Sequence, residues 1–178
     1  MRIISGTHKG RNINPPAGLP VRPTTDFAKE GLFNVLQHQL DFESLEVLDL
    51  FCGTGNITFE FASRGALQVM AVDSAYKCTS FVKKQAEDFK FQNIKVVNAD
   101  VFQFLKKIPS KFDIIFADPP FAMEKIETLI PLIFENDLLK KDGVFILEHE
   151  PAHNFAFHKN LKEKRNYGKI TFSIFANN

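Results

Sequence analysis

The chain has 178 residues, 44% of them hydrophobic and 24% charged, with a net charge of +1. That is enough for one domain with a small appendage, too apolar for a disordered chain, and without the roughly 18-residue apolar run of a membrane span or the apolar core of a signal peptide. Cys52 and Cys78 are the only cysteines, too few for a disulfide framework, so a reduced, cytoplasmic setting is expected.

The charge is uneven. Residues 1–25 and 151–178 each carry a net +4, so the middle must carry −7. Basic ends on an acidic body suit local contact with a polyanion, or two solvated surface segments.

At the start, residues 2–5 and 11–14 flank a glycine-containing turn, the pattern of a hairpin. Residues 14–23 read as a linker, and Thr24 and Thr25 can cap a helix over residues 26–39. The expected domain division is therefore 1–23, hairpin and linker, and 24–178. Strand and helix signals then alternate, with strands at 47–51, 68–72, 94–97, 112–117 and 144–147. Helices are expected at 56–63, 75–89, 101–107 and 125–135, and residues 167–175 form one or two further strands about Gly168. Apolar strands alternating with helices imply an α/β fold, a mostly parallel sheet covered on both faces. Ligands bind such sheets beyond the carboxyl ends of the strands, so the residues after each strand are the candidates.

The first strand is followed by Asp49-Leu-Phe51-Cys52-Gly53-Thr54-Gly55. Its glycines permit a sharp turn and close approach of a ligand at a helix start. After the second strand comes Asp73, followed by Ser74; a carboxylate here can accept hydrogen bonds from both ribose hydroxyls of a nucleoside. After the third comes Asp100, followed by Val101; this carboxylate can meet an adenine amino group or cap the next helix. Together these imply an adenosine-containing cofactor, NAD or S-adenosylmethionine. A dinucleotide fingerprint wants a third glycine where Thr58 stands, which favours the latter.

After the fourth strand comes Asp118-Pro119-Pro120-Phe121. The prolines end the strand and stiffen the loop. An exocyclic amine is a weak nucleophile because its lone pair is delocalised. Asp118 and a nearby carbonyl can accept its two hydrogens and aim the lone pair, while Phe121 stacks on a planar base. The required work is positioning for in-line methyl transfer.

Asp49-x-x-x-Gly53-x-Gly55 with Asp118-Pro-Pro-Phe121 resembles class I S-adenosylmethionine-dependent methyltransferases acting on an amino nitrogen. Met1-Arg-Ile-Ile-Ser-Gly6, Gly10-Arg11, Arg22-Pro-Thr-Thr-Asp26 with Leu32-Phe33-Asn34, and Ser63-Arg64-Gly65-Ala66 resemble the RsmD family of bacterial 16S rRNA guanine-N2 methyltransferases, from Arg2 to about Glu148. The resemblance implies a Rossmann-like seven-stranded sheet with an antiparallel last strand. It implies S-adenosylmethionine held by Asp49, Phe51, Cys52, Gly53, Thr54, Gly55, Asp73, Ser74, Asp100 and Val101, with no metal. The acceptor would lie at Asp118, Pro119, Pro120 and Phe121, and RNA at Arg2, Lys9, Arg11, Arg22, Thr24 and Thr25. The substrate would be 16S rRNA or the small ribosomal subunit, methylated by a monomer. The chain departs from the family at Phe27, where a basic residue is usual, and at Lys29, where arginine is usual.

His149-Glu150-Pro151-Ala152-His153 matches a zinc-protease pattern, but that pattern needs a continuous helix and Pro151 interrupts it. Cys52 reads as packing rather than as a nucleophile, and the Phe-rich stretches as core. Rival functions are methylation of adenine N6 or of a protein glutamine, NAD-dependent oxidoreduction, and RNA binding without catalysis.

Overall fold

The computed structural model describes residues 1–16, 18, 26–120, 123 and 125–177. Helix α1 spans Asp26–Leu36, β1 Glu46–Leu50, α2 Asn56–Ser63, β2 Gln68–Asp73, α3 Tyr76–Asp88 and β3 Ile94–Asn98. They are followed by α4 (Val101–Leu105), β4 (Phe112–Ala117), α5 (Leu129–Glu135), β5 (Leu139–His149), β6 (Leu161–Tyr167) and β7 (Ile170–Ala176). The strands form one seven-stranded sheet in the order β3-β2-β1-β4-β5-β7-β6. All pairs from β3 to β5 are parallel, and β7 runs antiparallel to both β5 and β6. The chain winds outward from β1 to β3 and then returns to β4, so the strand order reverses between β1 and β4. Side chains at that crevice are where a ligand is expected.

The sheet is buried on both faces. Leu48, Leu50, Ile115 and Leu147 pack with Leu105, Leu129 and Ile133 from α4 and α5. Val47, Ile114, Phe116 and Ile146 pack with Leu32, Phe33, Ile57 and Phe61 from α1 and α2. All eight residues of α2 are buried. A helix buried all round needs cover on its outer side, and the amino-terminal hairpin supplies it. Ile3 and Ile13 are at most 1% exposed and join a core cluster with Phe59, Ala71 and Val82.

The hairpin is smaller than the sequence implies. It has one bridge, Arg2 with Asn12, and bonds from Ile3 N–H to the Arg11 carbonyl and from Ile13 N–H to that of Met1. The reason is competition: the N–H groups of Ile4 and Ser5 donate instead to the Glu60 carboxylate, at 2.8 and 3.1 Å. Glu60 also holds Arg64 Nε at 2.8 Å and lies 3.4 Å from the buried Lys29 ammonium. Lys29 Nζ in turn donates to the Arg2 carbonyl (2.7 Å) and to Asn56 Oδ1 (2.8 Å). A buried ion pair is tolerated only when its remaining donors and acceptors are filled; here they tie the hairpin, α1 and the start of α2 together. Gly6 fits this joint because a Cβ there would lie 1.8 Å from the Ser63 carbonyl oxygen, and its φ is +82°.

Other departures are local. Helix α1 ends at Leu36, and the next turn tightens, with His38 N–H reaching Val35. The segment expected as one helix over 125–135 opens with a 3-10 turn at Ile126–Thr128. Strand β5 is longer than 144–147 because it begins at Leu139; its pairing with β4 shifts register between Leu139 and Val144, across the expected turn at Asp142 and Gly143. The last region is two strands, β6 and β7.

Candidate active site

Strand β1 ends in a loop that the glycines shape. Phe51 (φ 57°), Gly53 (φ 50°) and Gly55 (φ 79°) are all left-handed. A side chain at Gly55 would approach Phe59 to 2.7 Å. Phe51 adopts this costly conformation without being glycine and thereby reaches the cavity wall, edge-on to Phe102 with ring centroids 6.4 Å apart. Asp73, ending β2, fixes the same loop: its Oδ2 accepts the Gly53 N–H at 2.9 Å and its Oδ1 the Ala75 N–H at 2.8 Å. Each oxygen retains a second lone pair for a ligand hydroxyl. Asp100 caps α4, its Oδ1 accepting the Gln103 N–H at 2.9 Å, with the other oxygen free of that bond.

These residues surround a cavity of about 570 Å³. Nine of the residues expected in the site line it: Phe51, Gly53, Asp73, Ser74, Asp100, Val101, Asp118, Pro119 and Pro120. Ala75, Cys78, Phe102 and Met123 line it too and were not anticipated. Cys78 and Ala75 follow from the helix period, since the turn after Ser74 must face the same hollow. Asp49, Cys52, Thr54 and Gly55 are buried and not among the cavity's lining residues. Asp49 is 2% exposed and accepts the Thr58 hydroxyl. Thr54 Oγ1 lies 3.3 Å from Met1 Sδ, and Cys52 belongs to the core cluster under the hairpin. Phe121, Arg22, Thr24 and Thr25 lie outside the described residues. Arg2, Lys9 and Arg11 are exposed on the hairpin, with the Arg11 guanidinium 4.9 Å above the Phe89 ring.

The cavity is acidic. No lysine, arginine or histidine is among its described lining residues, and Asp73, Asp100 and Asp118 all are. Two more carboxyl groups lie just beyond. Burial raises the Asp49 pKa to about 7, opposed by the Thr58 hydrogen bond and reinforced by Asp118 and Asp73. Burial and the neighbouring Glu148 push Asp118 well above the usual carboxylate range. Glu148 is 3% exposed and follows Leu147, which pairs with Ala117 immediately before Asp118. Sequence reading missed it because the strand was expected to stop at Leu147. A cation bound in the cavity would favour the ionised form of all these groups, whereas an anion would be repelled.

The zinc-like pattern has no helix beneath it. His149 is the last residue of β5; its Nδ1 lies 2.7 Å from the Glu150 carbonyl and its Nε2 2.8 Å from Ser173 Oγ. Among the described residues no helix is long and apolar enough to cross a membrane.

A seven-stranded sheet in this order, with a glycine loop at the switch point and an Asp-Pro-Pro loop beside it, defines a Rossmann-like methyltransferase. Residues 1–176 match the family described as conserved hypothetical protein 95, and the chain belongs to it. It is 32% identical to the ribosomal RNA small subunit methyltransferase D of Buchnera aphidicola subsp. Baizongia pistaciae, over 99% of this chain and 92% of that one. Its identity to the protein of the same name from Haemophilus influenzae is also 32%, over 99% and 94%. The solved structure of Escherichia coli yhhF superposes with a TM-score of 0.86 at 29% identity, covering 98% of this chain and 96% of that one.

Proposed function

We propose that this chain transfers a methyl group from S-adenosylmethionine to the exocyclic N2 of a guanine in 16S rRNA. The observation that carries the reading is the acid-lined cavity opening directly onto Asp118, Pro119 and Pro120. S-adenosylmethionine supplies an electrophilic methyl on a positively charged sulfur. Its cationic character suits a cavity walled by carboxylates, whereas the anionic diphosphate of NAD does not. Phe51 and Phe102 offer apolar walls, Gly53 close backbone approach, and Asp73 acceptors for the ribose hydroxyls.

The rest of the work belongs to the acceptor loop. In its ionised form Asp118 accepts a hydrogen from the guanine N2 amine, which raises electron density on nitrogen and orients the lone pair. Pro119 and Pro120 fix the backbone so that this geometry exists before the base arrives. As the N–C bond forms, the methyl–sulfur bond would break with its electron pair left on sulfur, giving S-adenosylhomocysteine; nitrogen then carries one proton too many, and a carboxylate at hydrogen-bond distance can take it. The rRNA rests on the named relatives, and the guanine N2 on the resemblance of the amino-terminal residues to the guanine-N2 family. The basic residues Arg2, Lys9 and Arg11 then serve as phosphate contacts.

The test is label transfer from S-adenosylmethionine to rRNA prepared from cells lacking the protein, with NAD as a competing ligand. Label should enter RNA and not protein, and NAD should leave the rate unchanged. Label in protein alone, or inhibition by NAD at cofactor-like concentration, would overturn the reading.

A further inference from the structure

A second, larger hollow lies on the other side of the first turn of α3. It measures about 720 Å³ and is lined by Tyr76, Lys77, Phe81, Lys84, Gln85 and Asp88 from α3 and by Asn14 from the segment after the hairpin, so its charged lining is two lysines and one aspartate. Positions 77, 81 and 84 recur at helical spacing and share one face. Lys77 and Lys84 are exposed, and Tyr76 is 72% exposed although large and aromatic. Phe81 is half-buried against the core cluster beneath the hairpin, so the floor is firm. The hollow abuts the acidic cavity, since Ser74, Ala75 and Cys78 on the preceding and same turn line that cavity. The basic hairpin borders it through Asn14.

We infer that this cleft is a second binding site for the RNA substrate, holding an unpaired nucleotide that flanks the target base. The inference rests on the function proposed above. Lys77 and Lys84, on one helix face, suit successive phosphates of a single strand, and they outnumber Asp88, the acid at the end of that helix. Tyr76 provides an exposed stacking surface at the edge of the cleft, and stacking with a base tolerates any sequence. Gln85 and Asn14 supply donors and acceptors for a base edge. A base in this cleft and a base at Asp118 would straddle the cofactor cavity, so the strand would cover the bound cofactor.

The experiment measures binding of a short labelled single-stranded RNA of mixed sequence, and of deproteinised 16S rRNA, as salt is varied. For the double variant Lys77→Ala/Lys84→Ala, affinity should fall about tenfold and the salt slope by about 1.4, or 0.7 per lost phosphate contact. Tyr76→Ala should weaken binding about tenfold and Tyr76→Phe should restore it. S-adenosylmethionine affinity and thermal stability, measured on the same samples, show that the variants are folded. Unchanged RNA affinity and slope in both variants overturn the cleft while leaving the methyltransferase reading intact. A wild-type protein that neither binds nor methylates rRNA defeats that reading first. Variants that bind naked RNA normally but fail on ribosomal particles would assign the cleft to a protein partner and also overturn the proposal.

Discussion

Two hollows flank the first turn of α3, and they differ in the charge of their walls. The one between β1 and β4 is lined by Asp73, Asp100 and Asp118 with no basic residue among the described lining. The one against the hairpin carries Lys77 and Lys84, with Asp88 as the single acid in its described lining. A single helix thus divides a site suited to a cation from a site suited to a polyanion. A sulfonium cofactor and an RNA strand, the occupants proposed above, are such a pair, and the division would keep phosphates from competing for the acidic cavity. It also explains why a net charge of +1 says little about this protein: the sum hides two opposed local fields.

The contrast breaks most sharply at Asp118. Asp118→Ala should lower the transfer rate by about 10²–10³ while S-adenosylmethionine binding, followed by calorimetry, changes only a few-fold. A next effect is expected at Asp73. Its carboxylate holds the Gly53 N–H and, in the proposed function, accepts from the ribose hydroxyls, so Asp73→Ala should weaken cofactor binding about a hundredfold, from charge-assisted hydrogen bonds of about 1.5–3 kcal/mol each. RNA affinity in the absence of cofactor should stay near wild type. If Asp73→Ala impaired RNA and cofactor equally, the two hollows would not be separate sites.

On the basic side, replacing Arg2, Lys9 and Arg11 together by alanine should reduce the salt slope of single-stranded RNA binding by about 2, measured by anisotropy. The cofactor affinity should not move.

A further effect, on stability rather than on binding, is expected through Asp49. Its pKa of about 7 stands above the ordinary 3.8, so the folded chain holds this proton more tightly than the unfolded one. Its contribution to stability therefore falls as pH rises from about 4 to about 7 and is level beyond. The melting temperature of Asp49→Asn should vary less across that window than the wild type's. Methyl transfer has the opposite sign. In the proposed role Asp118 is an acceptor; its pKa is raised by burial and Glu148, so activity should fall on acidification along a limb above the usual carboxylate range.

Much of the acidic cavity was legible because strand ends announce it. Each of Phe51, Asp73, Asp100 and Asp118 falls within one or two residues of an apolar run, where the fold puts ligands. Less legible was depth. Asp49 and Thr54 belong to the same motif as Gly53, yet they face inward, one toward Thr58 and the other toward Met1; a motif fixes spacing and not which side of the wall a side chain takes. Strand β6 was hidden because its exposed face carries Lys162, Lys164 and Asn166, so an edge strand read as a charged tail. The cover of α2 by the hairpin was hidden too. It depends on Lys29 and Glu60, two charges that sequence alone places at the surface and the fold places in the interior. The second hollow has no motif at all; it exists only once the segment after the hairpin is laid along α3.

The central claim, that Asp118 directs a methyl group to guanine N2, is tested most directly by nucleoside analysis. 16S rRNA lacking the modification is incubated with S-adenosylmethionine and either wild type or Asp118→Ala, then digested and separated. The account predicts N2-methylguanosine with the wild type and almost none with the variant. N6-methyladenosine, or equal N2-methylguanosine from both proteins, would contradict it.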